Sequence, residues 1–180
     1  MLRRLFHRLI DRFERGYRYD ATYLHEVTEA SPPAFLKFAL FQAMSMHHES
    51  VPRDAWFAAR IAGALSEDCG PCTQLVVDEA LRRKVPPLAI AALLRGDLDE
   101  AGEDAALGFR YGMAVAKNEP EAVSLAEEVE RRYGKRGLVS LAYAVASARV
   151  YPTLKRGLGH GAACTKITVS NETIALKEAA

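Results

Sequence analysis

The chain has 180 residues, of which 49% are hydrophobic and 26% charged, and its formal net charge at pH 7 is +1. This length and composition are typical of one folded domain with a hydrophobic core, and they exclude a disordered or fibrous chain. A net charge so close to zero gives no overall attraction for nucleic acid. No apolar run reaches the roughly 18 residues of a membrane span. Three cysteines without a signal peptide indicate the reducing cytosol rather than a disulfide scaffold.

Residues 1–15 form the first predicted element, a basic amphipathic helix. Its apolar positions recur at helical spacing along one face, while arginines cover the rest. The apolar set is Leu2, Leu5, Phe6, Leu9 and Phe13, and the basic set is Arg3, Arg4, Arg8, Arg12 and Arg15. The pattern favours packing against this domain or a neighbouring subunit over contact with an anionic membrane surface, which remains the alternative. The tyrosines of the following connector, Tyr17, Tyr19 and Tyr23, indicate core or interface packing.

Two helices are predicted between residues 31 and 65. Ser31 followed by Pro32 favours a helix start, because serine caps a helix and proline fits its first turn. That helix is expected to end near His47. The next begins at Pro52 and ends near Leu65, and its apolar positions are rich in alanine.

Cys69 and Cys72 form a C-x-x-C pair, the strongest chemical signal in the chain. Pro71 between them suits the first turn of a helix, since its missing N–H would lack a partner there anyway. The spacing therefore predicts a helix that begins at the pair. Unpaired amide donors and the helix dipole stabilise a thiolate at such an end, and a thiolate acts as a nucleophile or a metal ligand. Cys69, nearer the helix end, is expected to be the more exposed sulfur.

Further helices and a short tail are predicted in the remainder of the chain. Prolines after residue 85 begin a short helix that Gly96 closes. Helices are also predicted over residues 103–117, 119–134 and 138–150, the last apolar nearly all round and therefore central in the core. Strand signals are confined to residues 167–169. We predict an all-α bundle of about eight helices, divided into an N-terminal helix and connector (1–30), a helical domain (31–165) and a tail (166–180).

The sequence around the cysteine pair invites comparison with two families. Cys-Gly-Pro-Cys is the active-site tetrapeptide of thioredoxin, but that reading requires a β-strand before the pair, and residues 55–65 have helical spacing. A C-x-x-C at the start of the second of two helices resembles instead the alkylhydroperoxidase D-like and carboxymuconolactone decarboxylase family. Residues 137–161 resemble that family's closing helix and loop. The resemblance covers residues 51–161 and implies a helical homo-oligomer in which the second cysteine, Cys72, reacts with peroxide.

The chain departs from this family at its proton relay. Peroxidase members carry a histidine shortly after the cysteine pair and a glutamate about a dozen residues before it. Val76 and Phe57 hold those positions here. The resemblance therefore implies the fold more strongly than it implies fast peroxide reduction.

Other candidates for a base lie elsewhere in the sequence. Glu67 and Asp68 directly precede the pair, although their negative charge opposes thiolate formation unless one of them accepts a proton through a water. His160 is a further candidate if folding brings its loop to the pair. Glu79 lies about 10 Å along the helix from Cys72, at 1.5 Å per residue, too far for direct proton transfer. We expect weak peroxide reduction with disulfide exchange retained.

Three functions are open on these observations. In the first, Cys69 and Cys72 cycle between dithiol and disulfide, passing electrons to a peroxide or a partner's disulfide and recovering them from a thiol reductant protein. In the second, the pair joins His160 and Cys164 in a Cys₃His zinc site. In the third, the chain is a helical oligomer without chemistry. The first is favoured, with Cys69, Cys72, Glu67, Asp68 and His160 as its candidate catalytic residues. Neither a cofactor nor a stoichiometric metal is expected.

Overall fold

A computed structural model describes residues 2–161 and 166–176 as a mostly helical single domain with a small hairpin near its C-terminal end. Eight of its helices have at least seven residues, which agrees with the prediction of about eight. No helix within these residues is long and apolar enough to cross a membrane. The elements are α1 (Leu2–Tyr17), α2 (Thr22–Ala30), α3 (Pro32–Leu40), α4 (Gln42–Ser45), α5 (Arg53–Leu65), α6 (Gly70–Arg82), α7 (Pro87–Arg95), α8 (Leu98–Ala101), α9 (Glu103–Lys117), α10 (Ala122–Gly157), β1 (Lys166–Val169) and β2 (Glu172–Ala175).

Local signals in the sequence set most helix ends. The Ser31 hydroxyl accepts a hydrogen bond from the Ala34 amide at 3.3 Å and caps α3. Gly96 ends α7 in the left-handed region, at a φ of +82°, which glycine adopts without steric strain. Helix α9 has the predicted bounds. Gly134, predicted to end a helix, instead lies at a kink inside α10, with a φ of +72°.

Helix α5 occupies the centre of the domain and is buried from Ala55 to Ala64. It packs against α6, α9 and α10. Its small side chains permit close approach: a Cβ added at Gly108 of α9 would lie 2.2 Å from the carbonyl oxygen of Ala55. The prediction that the 138–150 segment lies centrally identified only part of the core, because α10 shares this position with α5.

A second hydrophobic cluster joins the N-terminal helices to the rest of the domain. It contains Phe6, Ile10, Tyr19, Tyr23 and Phe35, all buried. The buried tyrosines confirm the packing predicted for the connector. The prediction of a connector without a helix is only partly correct, because residues 22–29 belong to helix α2.

The apolar face of α1 is only half covered by this cluster. Phe6 and Ile10 are buried, whereas Leu2, Leu5 and Leu9 are each about half exposed. Intramolecular packing, the favoured prediction for this helix, therefore accounts for part of its apolar face. The other part faces outwards.

Strands β1 and β2 form an antiparallel hairpin, with Ile167 paired to Ile174. Ile167, Val169 and Ile174 are buried in the main core. The side-chain amide of Gln74 in α6 exchanges two 2.8 Å hydrogen bonds with the backbone of Thr168. The all-α prediction is thus correct for the body of the domain but missed this hairpin, which lies in the segment predicted to be a tail.

Candidate functional site

The cysteine pair lies at the start of α6, where the sequence predicted it. Cys69 caps the helix in an extended conformation, Pro71 occupies the first turn, and a disulfide bond joins Cys69 to Cys72. The Thr73 hydroxyl donates a 3.0 Å hydrogen bond to the Cys69 carbonyl oxygen and reinforces the turn. Both cysteines are 5% exposed. The expectation of a more exposed Cys69 is wrong, because the helices before and around the pair cover both residues.

Tyr19 gives Cys72 a polar neighbour. Its hydroxyl lies 3.8 Å from Sγ of Cys72. A disulfide sulfur carries no hydrogen, so Tyr19 is the donor. Burial raises the pKa of Tyr19, against a smaller lowering effect of its hydrogen bond with Tyr23, so the hydroxyl stays protonated and able to donate at neutral pH.

Lys155 places a positive charge against the same tyrosine. Its ammonium nitrogen lies 4.8 Å from the ring centroid of Tyr19, and the residue is buried. Its Nζ also donates to the carbonyl oxygen of Asp20 at 3.5 Å. Burial lowers the pKa of Lys155, and the nearby carboxylate of Asp20 opposes that effect. A cation therefore lies on the face of the ring whose hydroxyl contacts Cys72.

Glu67 is held in a network of ion pairs and hydrogen bonds. Nε of Arg149 donates to its carboxylate at 2.7 Å, and the Arg156 guanidinium and the Thr153 hydroxyl bind the other oxygen. Burial alone would raise the pKa of Glu67, but these contacts, those of Arg149 and Arg156 above all, lower it. A carboxylate with a lowered pKa is a weak base, and three hydrogen bonds already occupy this one. Its role in the described fold is to connect the α5–α6 turn to α10.

The remaining candidates for a base are Asp68, His160 and Glu79. Asp68 lies in the turn before the pair with a φ of +48°. His160 has its Nε2 atom 2.9 Å from the carboxylate of Glu26 in α2, a partner other than the cysteines. Glu79 accepts a 2.6 Å hydrogen bond from Arg60.

The Cys₃His zinc alternative receives no support from this arrangement. Cys164 lies outside the described residues. A disulfide between Cys69 and Cys72 leaves neither sulfur as a thiolate, the form that binds zinc. The three-residue grouping with metal-ligand spacing within residues 2–161 and 166–176 is Asp11, Glu14 and His25, on the N-terminal helices.

An apolar cavity of about 480 Å³ reaches Cys72 of the pair. Cys72 and Val76 are one helical turn apart and both lie on its wall. Val76 holds the position of the relay histidine in the resembled family, so this position is near Cys72 but carries no base. Side chains of α1, α2 and α3 form the opposite wall. They include Phe6, Leu9, Ile10, Phe13, Tyr23, Leu24, Phe35, Leu36, Phe38 and Ala39.

A second cavity of about 270 Å³ adjoins the first. The two share Tyr17, Gln42, Arg60 and Glu79. Phe57, at the other relay position, lines this second cavity together with Trp56 and several arginines. The site is therefore a redox-capable pair at one side of an apolar cavity that continues into a cationic one.

The sequence did not predict that Tyr19, Lys155 and Arg60 belong to this site. Tyr19 was interpreted only as a packing residue, and Lys155 and Arg60 were not singled out. Tyr19 and Lys155 reach the site from sequence distances of 53 residues or more, and no spacing pattern links them to a C-x-x-C pair. Arg60 could have been recognised from the sequence, because it is a charged residue within the alanine-rich apolar segment 55–65 and a buried charge needs a partner.

Comparisons with known proteins do not extend this description. Neither models of protein families, nor curated proteins, nor solved structures match the chain.

Proposed function

We propose that Cys69 and Cys72 form a redox centre that cycles between dithiol and disulfide and reduces a peroxide or a small disulfide. The observation that carries this proposal is the disulfide at the N-terminus of α6, of which Cys72 lies on the wall of an open cavity. A purely structural disulfide closing a loop of this length constrains the unfolded chain little, because the stabilisation grows with the number of residues enclosed. A reactive role accounts better for the pair.

The proposed reaction begins with the dithiol. The Cys72 thiolate attacks one oxygen of the peroxide, the O–O bond breaks, and the other oxygen leaves with a proton as water or an alcohol. The thiol of Cys69 then attacks the resulting sulfenic acid, an S–S bond forms, and water leaves. A thiol reductant restores the dithiol through two exchange steps, so that two electrons pass to each peroxide.

We assign the attacking role to Cys72 because it lines the cavity and has the more favourable surroundings. The Tyr19 hydroxyl can donate to the Cys72 thiolate, and the Lys155 ammonium lies on the Tyr19 ring. The dipole of α6 acts on both sulfurs and does not distinguish them. Because both sulfurs are buried, the arrangement favours a small oxidant over the disulfide of a folded partner. With Val76 at the position of the relay histidine, we expect slow peroxide reduction.

The proposed reaction is consistent with a divergent member of the alkylhydroperoxidase D-like family. This part of the proposal rests on the arrangement of α5, the turn and α6 with its cysteine pair. Val76 and Phe57 at the relay positions separate the chain from the peroxidase members that it resembles.

The test is to trap the intermediate in single-cysteine variants of the pair. Reduced Cys69→Ser and Cys72→Ser proteins, both in a Cys164→Ser background, are treated with hydrogen peroxide and a sulfenic-acid reagent. We expect Cys72 to be labelled in the first variant at a rate at least about tenfold above Cys69 in the second, given the thiolate preference argued above. Equal labelling would remove the assignment of Cys72. Absence of labelling in both variants would contradict the peroxidase proposal itself.

A further inference from the structure

The junction of the two cavities has the features of a ligand site. Arg60 and Glu79 lie where the apolar and the cationic cavities meet, together with Gln42 and Tyr17. The apolar cavity has a volume within the range of about 300–1,000 Å³ that is usual for small-molecule sites. Such sites combine a mostly apolar wall with a few convergent polar groups, which is the arrangement here.

Arg60 is the buried charged residue in this junction that has an unpaired hydrogen-bond donor. It is 5% exposed, and one Nη atom donates to Glu79 at 2.6 Å. Its guanidinium carbon lies 4.8 Å from the Trp56 ring centroid and 5.7 Å from that of Phe57. Among the described residues, its Nε atom is buried and has no hydrogen-bond partner. Leaving such a donor unpaired is unfavourable, which makes Arg60 the polar group of this junction whose hydrogen bonding is incomplete.

The charges around the junction favour an anionic ligand. The smaller cavity is lined by four arginines, Arg53, Arg60, Arg82 and Arg83, against a single carboxylate, that of Glu79. The larger cavity is lined mainly by aromatic and aliphatic side chains. One end of the combined space therefore attracts negative charge, while the other excludes it.

We infer that this site binds an amphipathic organic anion, with its anionic head at Arg60 and its apolar chain in the cavity that Cys72 lines. The occupant to which the geometry points is a long-chain carboxylate. Leu9 and Leu36 line the cavity and are each about half exposed, so the chain can enter between α1 and α3. The bound chain would lie against Sγ of Cys72. This binding does not depend on the proposed redox reaction.

The single tryptophan of the chain makes the inference directly measurable. Trp56 lines the cationic cavity and stacks on Arg60, so its fluorescence reports binding at the head-group end. The oxidised protein is titrated with dodecanoate below its aggregation concentration, with dodecanol as the uncharged chain and acetate as the isolated head group. We expect saturable binding of one dodecanoate, with dodecanol at least about tenfold weaker because it cannot pair with arginine. Acetate should produce no change at the same concentrations.

Substitutions separate the two ends of the site. Arg83→Gln and Arg53→Gln change exposed arginines of the cationic cavity, and each should weaken dodecanoate about threefold while leaving dodecanol unchanged. Ala39→Phe should weaken both ligands, because it fills the apolar cavity. The matched controls are Arg131→Gln and Ala34→Phe, exposed positions on α10 and α3 that lie outside both cavities.

The outcomes are distinguishable from those of the redox proposal. Equal affinity for dodecanoate and dodecanol, or equal loss in the arginine variants and their control, would overturn the inference. So would an unchanged tryptophan signal together with no dodecanoate binding by calorimetry. None of these results alters whether the cysteine pair forms a reversible disulfide, because the titration uses the oxidised protein throughout.

Discussion

Tyr19 gives the two sulfurs of the pair different surroundings. Its hydroxyl contacts Sγ of Cys72, and the ammonium group of Lys155 lies over the face of its ring. Glu67, by contrast, lies two residues before Cys69 but is committed to Arg149 and Arg156. Proximity in sequence is therefore a poor guide to which side chain assists the sulfur. Substitutions of Tyr19 and Glu67 separate the two roles.

Replacing Tyr19 by phenylalanine removes the hydroxyl and keeps the ring. In the reduced protein with Cys69→Ser, we expect alkylation of Cys72 at pH 7 to slow about fivefold, which corresponds to the net contribution of about 1 kcal/mol typical of one hydrogen bond. Iodoacetamide labelling followed by mass spectrometry measures the rate. Tyr143→Phe, an exposed tyrosine of α10, is the control. Equal rates in the two variants would show that the contact with Tyr19 does not activate the sulfur.

Glu67 should contribute stability that depends on pH. Its pKa is lowered in the folded state, so its contribution is present above the pKa of the unfolded chain and is lost as pH falls through the folded value. Glu67→Gln should reduce the free energy of unfolding at pH 7 by about 1–3 kcal/mol, because it removes charged hydrogen bonds. The difference from the native protein should shrink below about pH 4.5, where the carboxylate of the unfolded chain takes up protons, and should be lost below the lower pKa of the folded state.

Urea unfolding of both proteins between pH 7 and pH 3 tests this expectation. Glu130→Gln is the control, because the partner of Glu130 is the exposed Lys135, and its effect should be close to zero throughout. A difference between native and Glu67→Gln protein that does not change with pH would contradict the role of the ion pairs.

At the scale of elements, the centre of the domain depends on the close approach of α5 to α9 and α10. Three glycines permit that approach: a Cβ added at Gly63, Gly108 or Gly112 would come within 3.0 Å of a neighbouring helix. Alanines of α5 lie opposite Gly108 and Gly112, and α10 lies opposite Gly63. This packing fixes the end of α5 and therefore the position of the cysteine pair that follows it.

Gly108→Ala is expected to destabilise the domain by about 1–3 kcal/mol, the usual effect of overpacking a core. The added methyl group would meet the carbonyl oxygen and carbon of Ala55, which are backbone atoms and cannot turn aside. Chemical unfolding measures the loss. The comparison is Gly157→Ala, a helical glycine of α10 with no atom within 4 Å of the added Cβ. Similar stability of the two variants would show that α5 and α9 are less closely packed than described.

The sequence predicted the helices better than it predicted which residues of different elements are in contact. Ser31, Gly96 and Pro71 act on residues within one turn of themselves, so the ends of α3, α7 and α6 were predictable. The hairpin was missed because its buried positions, such as Ile167, are supported by contacts with α6 and α7 rather than by a long strand pattern. The contact of Tyr19 with Cys72 depends on how α1 and α2 fold back over α6. The spacing of residues within one segment carries no information about such long-range packing.

For the whole molecule, the N-terminal helices cover the cysteine pair and form one wall of its cavity. The same helices leave an apolar surface outside, composed of Leu2, Leu5 and Leu40, which are exposed and do not line the cavity. Exposed apolar side chains of this kind favour association. We propose that this surface joins copies of the chain in a homo-oligomer.

Light scattering at micromolar concentration should therefore return a multiple of 19.8 kDa. Leu2→Ser combined with Leu5→Ser should reduce the mass, while Val123→Ser, exposed on α10, should not. A monomeric native protein would refute the proposal. If the protein is monomeric and loses binding to anionic vesicles in the leucine variant, the exposed face of α1 contacts a membrane surface instead.

The central claim is that Cys69 and Cys72 exchange reversibly between dithiol and disulfide. It is tested most directly by equilibrating the protein with glutathione buffers of graded redox ratio, then alkylating free thiols and locating disulfides by mass spectrometry. Under mildly oxidising conditions, we expect two thiols to disappear together, a disulfide between Cys69 and Cys72, and full recovery on reduction; Cys164→Ser should behave in the same way. Thiols that remain free throughout, or a disulfide that includes Cys164, would contradict the account.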